Sequence, residues 1–318
     1  MVAMASGLTD PSLQAAEYPQ PTKVNVAYGL HARQVLDFYQ AAAPTLSANV
    51  TSGETPPTSK GFPLMFFIHS GGWMSGDKAR PDFLELALRS GVSVVSINYR
   101  LIPDATAAGI KPAVKAPLED AATALQFVRS RAGEWNIDKT RIALCGASAG
   151  GYSALWLAYH DDMADPHSDD PVKRESTRAS CVMTFVPQTT LDPQLMREWI
   201  PNNNYGPHAF ELYNFDDFLK RREELLPFIR ANSPYSLITR DDPPTYLFYG
   251  TPPDMGQAQQ DPPHSANFGV KVAEKLQAEG VECEFNFPGA PGVKHPQIFD
   301  FFLHHLKKPL ISKLPAPK

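Results

Sequence analysis

The chain alternates short apolar runs with longer amphipathic ones. Pro63-Leu64-Met65-Phe66-Phe67-Ile68 is continuously apolar, and Ser93-Val94-Val95-Ser96-Ile97-Asn98-Tyr99 is rich in β-branched residues. Runs of this length without polar alternation predict strands covered on both faces. Ile142-Ala143-Leu144-Cys145 is of the same kind, and further strands are predicted at 181–186, 245–249 and 282–287. Phe83, Leu84, Leu86, Ala87 and Leu88 can line a helix that Gly91 ends. Leu118, Ala122, Leu125 and Val128 recur at helical spacing, and helices are also predicted over 149–160, 265–279 and 296–307. Repeated strand–helix units predict an α/β fold: a mostly parallel sheet with helices on both faces, as one domain spanning 1–318.

Two segments break the rhythm. Val24–Tyr28 and Val35–Tyr39 are predicted to add antiparallel edge strands. Residues 190–235, from Thr190 through Trp199, Tyr205, Phe210 and Phe218 to Tyr235, form a long aromatic-rich insertion between two strands. A structureless loop of that length is uncommon in a compact domain, so a partly helical cap insertion is predicted there. Prolines, 31 in all, cluster at 52–63, 103–117, 252–263 and 288–296, which predicts stiff loops.

Composition changes this picture little. In 318 residues, 43% are hydrophobic and 20% charged, which suits a globular chain with a large core. With net charge −5 and no dense Lys/Arg run, a nucleic-acid partner is not predicted, and Lys307, Lys308, Lys313 and Lys318 read as a solvated tail. Cys145, Cys181 and Cys283 are far apart and set in apolar runs, which predicts buried thiols rather than a metal site or a nucleophile. Asp161, Asp162, Asp165, Asp169 and Asp170 lack the D-x-D-x-D-G spacing of a calcium loop and read as a solvated loop. No apolar run approaches the ~20 residues that span a bilayer. Met1–Gln20 carries no visible signal peptide, and a mature secreted form would read the same, so compartment stays open, as does oligomeric state. Asn49-Val50-Thr51 is a glycosylation sequon by pattern.

Gly146-Ala147-Ser148-Ala149-Gly150 matches G-x-S-x-G directly after a predicted strand and directly before a predicted helix. Such a turn lifts a serine Oγ above the sheet, its glycines leave room for neighbouring backbone, and the following helix aims its first amides at developing negative charge. About eighty residues earlier, His69-Ser70-Gly71-Gly72-Trp73 leaves the first apolar strand, with glycines suited to bringing backbone amides close to a substrate oxygen.

With Tyr99-Arg100-Leu101-Ile102-Pro103 between them, these motifs give the chain a specific resemblance. It is similar to the hormone-sensitive-lipase-like carboxylesterases and the bacterial feruloyl-esterase-like enzymes, which carry an H-G-G-G loop, a Y-R-L-x-P segment and G-x-S-A-G in this order. The likeness extends from about Tyr28 to His305, and it implies the α/β-hydrolase fold. It implies Ser148 as nucleophile and an oxyanion hole made by the amides of Gly71, Gly72 and Ala149. Ser70 stands where the pattern prefers glycine, which bears on the room beside the acyl group. His69 reads as a brace of the loop.

The fold orders the triad Ser, Asp, His, with the acid after the next-to-last strand and the base after the last. Two acids follow Tyr249-Gly250. Asp254 is closer to the glycine, whereas Asp261 lies nineteen residues before Gly280, the interval the family shows, so Asp261 is preferred. His295, after Phe287-Pro288-Gly289-Ala290, resembles the family's histidine stretch with extra residues inserted and is taken as the base. His264, close to Asp261, is its rival and otherwise a wall of the pocket. His31, His160, His167 and His208 have no partner that the sequence identifies, and His304 and His305 read as surface or packing residues of the last helix.

The resulting expectation is a serine hydrolase of small acyl or aryl carboxylic esters, working through an acyl-enzyme. A small-molecule ester is its partner, no metal or organic cofactor is called for, and Trp73 and Tyr152 are candidates to line the pocket. Two other readings share the fold: a prolyl-oligopeptidase-like serine peptidase, and a non-catalytic ligand-binding relative.

Overall fold

The structure, a computed structural model, describes residues 18–42 and 61–307. The sequon at 49–51, most of the 52–63 proline cluster, the start of the chain and Lys308, Lys313 and Lys318 lie outside the described residues. Eight strands form one sheet: β1 (Lys23–Ala27), β2 (Val35–Tyr39), β3 (Phe62–Ile68), β4 (Ser93–Ile97), β5 (Ile137–Ala147), β6 (Cys181–Phe185), β7 (Thr245–Phe248) and β8 (Cys283–Asn286). Their order is β1-β2-β4-β3-β5-β6-β7-β8, with β1 and β2 antiparallel at one edge and all pairings from β4 to β8 parallel. The chain has the α/β-hydrolase fold.

The helices are α1 (Leu84–Arg89), α2 (Ile102–Ala107), α3 (Lys115–Ser130), α4 (Ala149–Tyr159), α5 (Pro193–Trp199), α6 (Phe215–Lys220), α7 (Arg222–Asn232), α8 (Pro234–Leu237), α9 (Asn267–Ala278) and α10 (Ile298–Leu306). Helix α2 falls where the prolines at 103–117 predict a stiff loop. It forms because Asp104 Oδ2 accepts the Leu101 amide at 2.9 Å, and Pro103 sits in the first turn, where its missing N–H costs nothing. Strand β5 begins five residues earlier than its apolar run, because Ile137 pairs with Phe62 before the register shifts.

Successive side chains of a strand face opposite sides, which divides the core in two. Leu64, Phe66, Ile68, Val95, Ile97, Leu144 and Leu247 pack beneath α3, α4 and α9. Met65, Phe67, Val94, Ala143, Cys145, Cys181, Met183 and Tyr246 pack against α1 and α10. This two-sided burial is why the strands read as unbroken apolar runs. Cys145 and Cys181 are buried and Cys283 is half-buried; all three are free thiols whose pKa burial raises, Cys283 up to about 12. Among the described residues no helix is long and apolar enough to cross a membrane.

Between β6 and β7, residues 190–237 carry α5 to α8 and a 3₁₀ turn at Pro207–Phe210. This segment reaches the loop after β3. His208 Nε2 donates to the Gly72 carbonyl at 3.1 Å, and the Tyr205 ring lies 6.4 Å from that of Trp73.

Candidate active site

Ser148 stands between β5 and α4 at φ 51 and ψ −123, a conformation that strains any residue with a Cβ. Its amide donates to Phe185 O on β6 at 2.9 Å, and its carbonyl accepts the Tyr152 amide at 2.8 Å to start α4. The flanking glycines are needed for space. A Cβ on Gly146 would lie 2.6 Å from the Gly150 carbonyl group, and one on Gly150 would lie 2.2 Å from Ile68 O. The elbow therefore rests directly on the end of β3, the strand from which the glycine loop leaves.

That loop is held from several sides. His69 Nδ1 donates to Ser70 O at 2.7 Å, its ring stacks on Tyr99 at 4.2 Å, and the Tyr99 hydroxyl donates to His69 O at 2.8 Å. Burial pushes the His69 pKa down to about 4, so the ring is a neutral brace. Arg100 continues the scaffold, pairing with the buried Asp120 carboxylate at 2.5 Å while its own amide donates to the same group at 2.8 Å. Gly71 O accepts the amides of Met74 and Ser75 at 3.0 and 3.1 Å, which turns the Gly72 N–H to the other side of that peptide plane. None of the hydrogen bonds among the described residues uses the amide of Gly71 or of Gly72.

The side chain on Ser148 is His264. Ser148 Oγ lies 3.0 Å from His264 Nε2, and His264 Nδ1 lies 2.8 Å from Asp261 Oδ2. With Nδ1 protonated toward the carboxylate, Nε2 presents its lone pair to the serine hydroxyl. Asp261 and His264 belong to one 3₁₀ turn, Pro262–His264, closed by His264 N donating to Asp261 O at 3.1 Å. A 3₁₀ helix has three residues per turn, so positions i and i+3 eclipse and the two side chains meet without long-range help. Pro262 and Pro263 supply the fixed φ that such a turn uses.

His295, expected as the base, is elsewhere. Its Nδ1 contacts Glu284 Oε1 at 2.5 Å, its amide donates to Glu284 Oε2 at 2.9 Å, and its carbonyl accepts the Tyr246 hydroxyl at 2.8 Å. Glu284 pairs in register with Tyr246, two residues short of the strand ends and on the face covered by α10. The loop after β8 is long enough to fold back beneath the sheet, with Gly289 and Gly292 at φ 85 and φ 70, and this carries His295 to the buried carboxylate. The extra residues between Gly289 and His295 give the loop the length to place His295 on Glu284 rather than near Ser148.

The other expected site residues divide. Ser148 and Asp261 meet on His264, whereas Asp254 offers the site no side-chain hydrogen bond: its amide and carbonyl are used instead, bonded to Asn267 at 2.8 Å each. Trp73 and Tyr152, expected to line the pocket, are fully buried behind it. They pack edge to face at 5.2 Å, with Trp73 Nε1 donating to Ser153 Oγ at 3.0 Å and Tyr152 Oη to Asn232 O at 2.9 Å. Aromatic bulk beside a catalytic motif served the core. Tyr205 and His208, on the insertion, reach the glycine loop, and no local pattern announces them. The Tyr205 hydroxyl lies 3.6 Å from where a Cβ on Gly72 would be.

The BD-FAE family model matches residues 54–261. The chain is 32% identical over 130 residues to the versiconal hemiacetal acetate esterase of Dothistroma septosporum, covering 40% of this chain and 35% of that one. It is 32% identical over 114 residues to carboxylesterase NlhH of Mycobacterium tuberculosis, covering 35% and 34%. The chain thus spans about a third of the length of these curated relatives. A truncated carbohydrate esterase from gut microbiota superposes with TM-score 0.62 at 18% identity, covering 90% of this chain and 96% of the other. A thermophilic esterase of the planctomycete Thermogutta terrifontis does so with TM-score 0.57 at 24% identity, covering 89% and 88%.

Proposed function

The chain belongs to the BD-FAE family of α/β-hydrolases, and from that premise we propose that it is a serine carboxylesterase of small acyl or aryl esters. The observation that carries the reading is the relay from Ser148 Oγ through His264 to Asp261, at 3.0 and 2.8 Å, on a strained elbow. A serine hydroxyl is a weak nucleophile until a neighbouring base takes its proton.

In the proposed reaction Ser148 Oγ attacks the ester carbonyl carbon as its proton passes to His264 Nε2. Asp261 holds the imidazole tautomer and stabilises the imidazolium. The carbonyl oxygen becomes an oxyanion received by the amides of Gly71, Gly72 and Ala149, the last at the head of α4. His264 returns the proton to the departing alkoxide, leaving an acyl-serine. Water, deprotonated by the same imidazole, then releases the acid. Tyr205 beside Gly72 narrows the space at the acyl side, which supports a small acyl group.

The test is labelling by a fluorophosphonate, together with turnover of p-nitrophenyl esters of graded acyl length and of a prolyl amide. Labelling confined to Ser148, with ester turnover and no amide turnover, is the expected result. An unlabelled, folded protein that hydrolyses none of them refutes the proposal.

A further inference from the structure

The histidine-bearing turn is an exposed, proline-rich segment, and something must aim it. Pro262 and Pro263 have no N–H, so the rest of the protein can hold these two residues by hydrogen bonds only through their carbonyls. Pro262 O accepts the Ser265 amide within the same segment. Pro263 O, one peptide from His264, accepts Nε2 of Gln188. Gln188 is fully buried, three residues past the end of β6.

The same stretch touches the nucleophile. Phe185 O accepts the Ser148 amide at 2.9 Å. Val186 follows at φ 43, a strained value for a β-branched residue, and the Pro187 carbonyl is fixed by the Tyr249 hydroxyl at 2.8 Å. Residues 185–188 therefore link the backbone amide of Ser148 to the carbonyl that precedes His264.

As a stabilising device Gln188 is poor. Its Oε1 is buried with no hydrogen-bond partner among the described residues, and an unmet buried acceptor costs free energy that an apolar side chain would avoid. What the amide does provide is a donor at a defined place on the turn. We infer that Gln188 is the positioning residue that aims His264 at Ser148.

The inference rests on the esterase reading, in which the aim of the imidazole controls both proton transfers. An error of about 1 Å in such a group costs on the order of 100-fold in rate.

The experiment compares Gln188→Met with the parent, each with and without His264→Ala, on p-nitrophenyl acetate and on an alkyl acetate. Methionine keeps the volume and removes the donor. The expected result is a 10- to 100-fold fall in kcat with KM within about twofold and an unchanged or higher Tm. The fall is larger for the alkyl ester, whose alkoxide must be protonated to leave, than for p-nitrophenolate, which leaves unaided. In the His264→Ala background the substitution costs less than about twofold, because Gln188 acts through the missing ring. Equal loss in both backgrounds, loss confined to KM or to Tm, or parental kinetics overturns the inference and leaves the esterase reading intact. A parent protein that neither turns over esters nor takes up the fluorophosphonate overturns both.

Discussion

Replacing His264 and His295 by alanine in turn separates two histidines that the chain pattern offers for one role. In the proposed reaction His264 receives the serine proton, so His264→Ala leaves Ser148 Oγ without the imidazole nitrogen at 3.0 Å. The expected loss is about 10⁴- to 10⁶-fold in kcat, or roughly 5–8 kcal/mol at about 1.4 kcal/mol per decade. Stability hardly changes, since the ring sits 34% exposed on a surface turn. His295→Ala has the opposite signature. It removes a charge-assisted contact to Glu284, whose side chain is only 4% exposed. The amides of Lys294 and His295 still donate to that carboxylate, at 3.1 and 2.9 Å, so the loss is about 2 kcal/mol rather than that of an abandoned buried charge. For a domain of this size that lowers Tm by about 3 °C, with kcat of the folded protein unchanged. Steady-state turnover of p-nitrophenyl acetate and thermal unfolding followed by circular dichroism read the two quantities separately. A His295→Ala protein that is folded but inactive, beside an active His264→Ala, refutes the assignment.

Three further outcomes are expected. Gly150→Ala places a methyl group 2.2 Å from Ile68 O, so Tm and turnover fall together, by more than about 2 kcal/mol of stability; parental Tm refutes the close approach. Ser148→Gly and Ser148→Ala both abolish fluorophosphonate uptake, but glycine relieves the strain at φ 51 and makes its variant the more stable by about 1 kcal/mol in chemical denaturation; an alanine variant of equal or greater stability refutes the strain. Burial pushes the Asp242 carboxyl up from its ordinary 3.8 to about 7, so its protonated form favours the fold. That stability is present below about pH 4 and is lost as pH rises through about 7. Asp242→Asn, able to keep the acceptor for the Thr239 amide at 2.8 Å, escapes the loss, and its Tm advantage over the parent grows between about pH 4 and pH 8; a constant advantage refutes the sign.

Strands β3 to β8 and the antiparallel edge of β1 and β2 were legible because two-sided burial demands unbroken apolar runs and turns demand glycine and proline. The nucleophile elbow was legible for the same kind of reason. Its glycines answer to contacts with chain neighbours and with the strand end beside them, and G-x-S-x-G records both. The interval to Gly280 singles out Asp261, and the structure sets that carboxylate against His264 rather than His295. Asp-Pro-Pro-His carried the needed signal, two prolines between an acid and a histidine at the three-residue period of a 3₁₀ turn. The family's placing of the histidine after the last strand points past this turn to His295. Trp73 and Tyr152 show the complementary limit, since an aromatic ring has the same appearance in a chain whether it faces a substrate or the core.

Local chemistry therefore set what each segment could be: which runs were strands, where a serine could be lifted from the sheet, and which turn could pair a carboxylate with an imidazole. Only the folded arrangement chose between the two histidines. The distance from residue 148 to residue 264 or 295 depends on where β8 ends and how the loop behind it returns, and a buried carboxylate under the sheet holds one ring while Asp261 and Ser148 meet the other above it. Pairings between residues more than a hundred positions apart are fixed by packing and by competition for buried partners, and no local pattern records either.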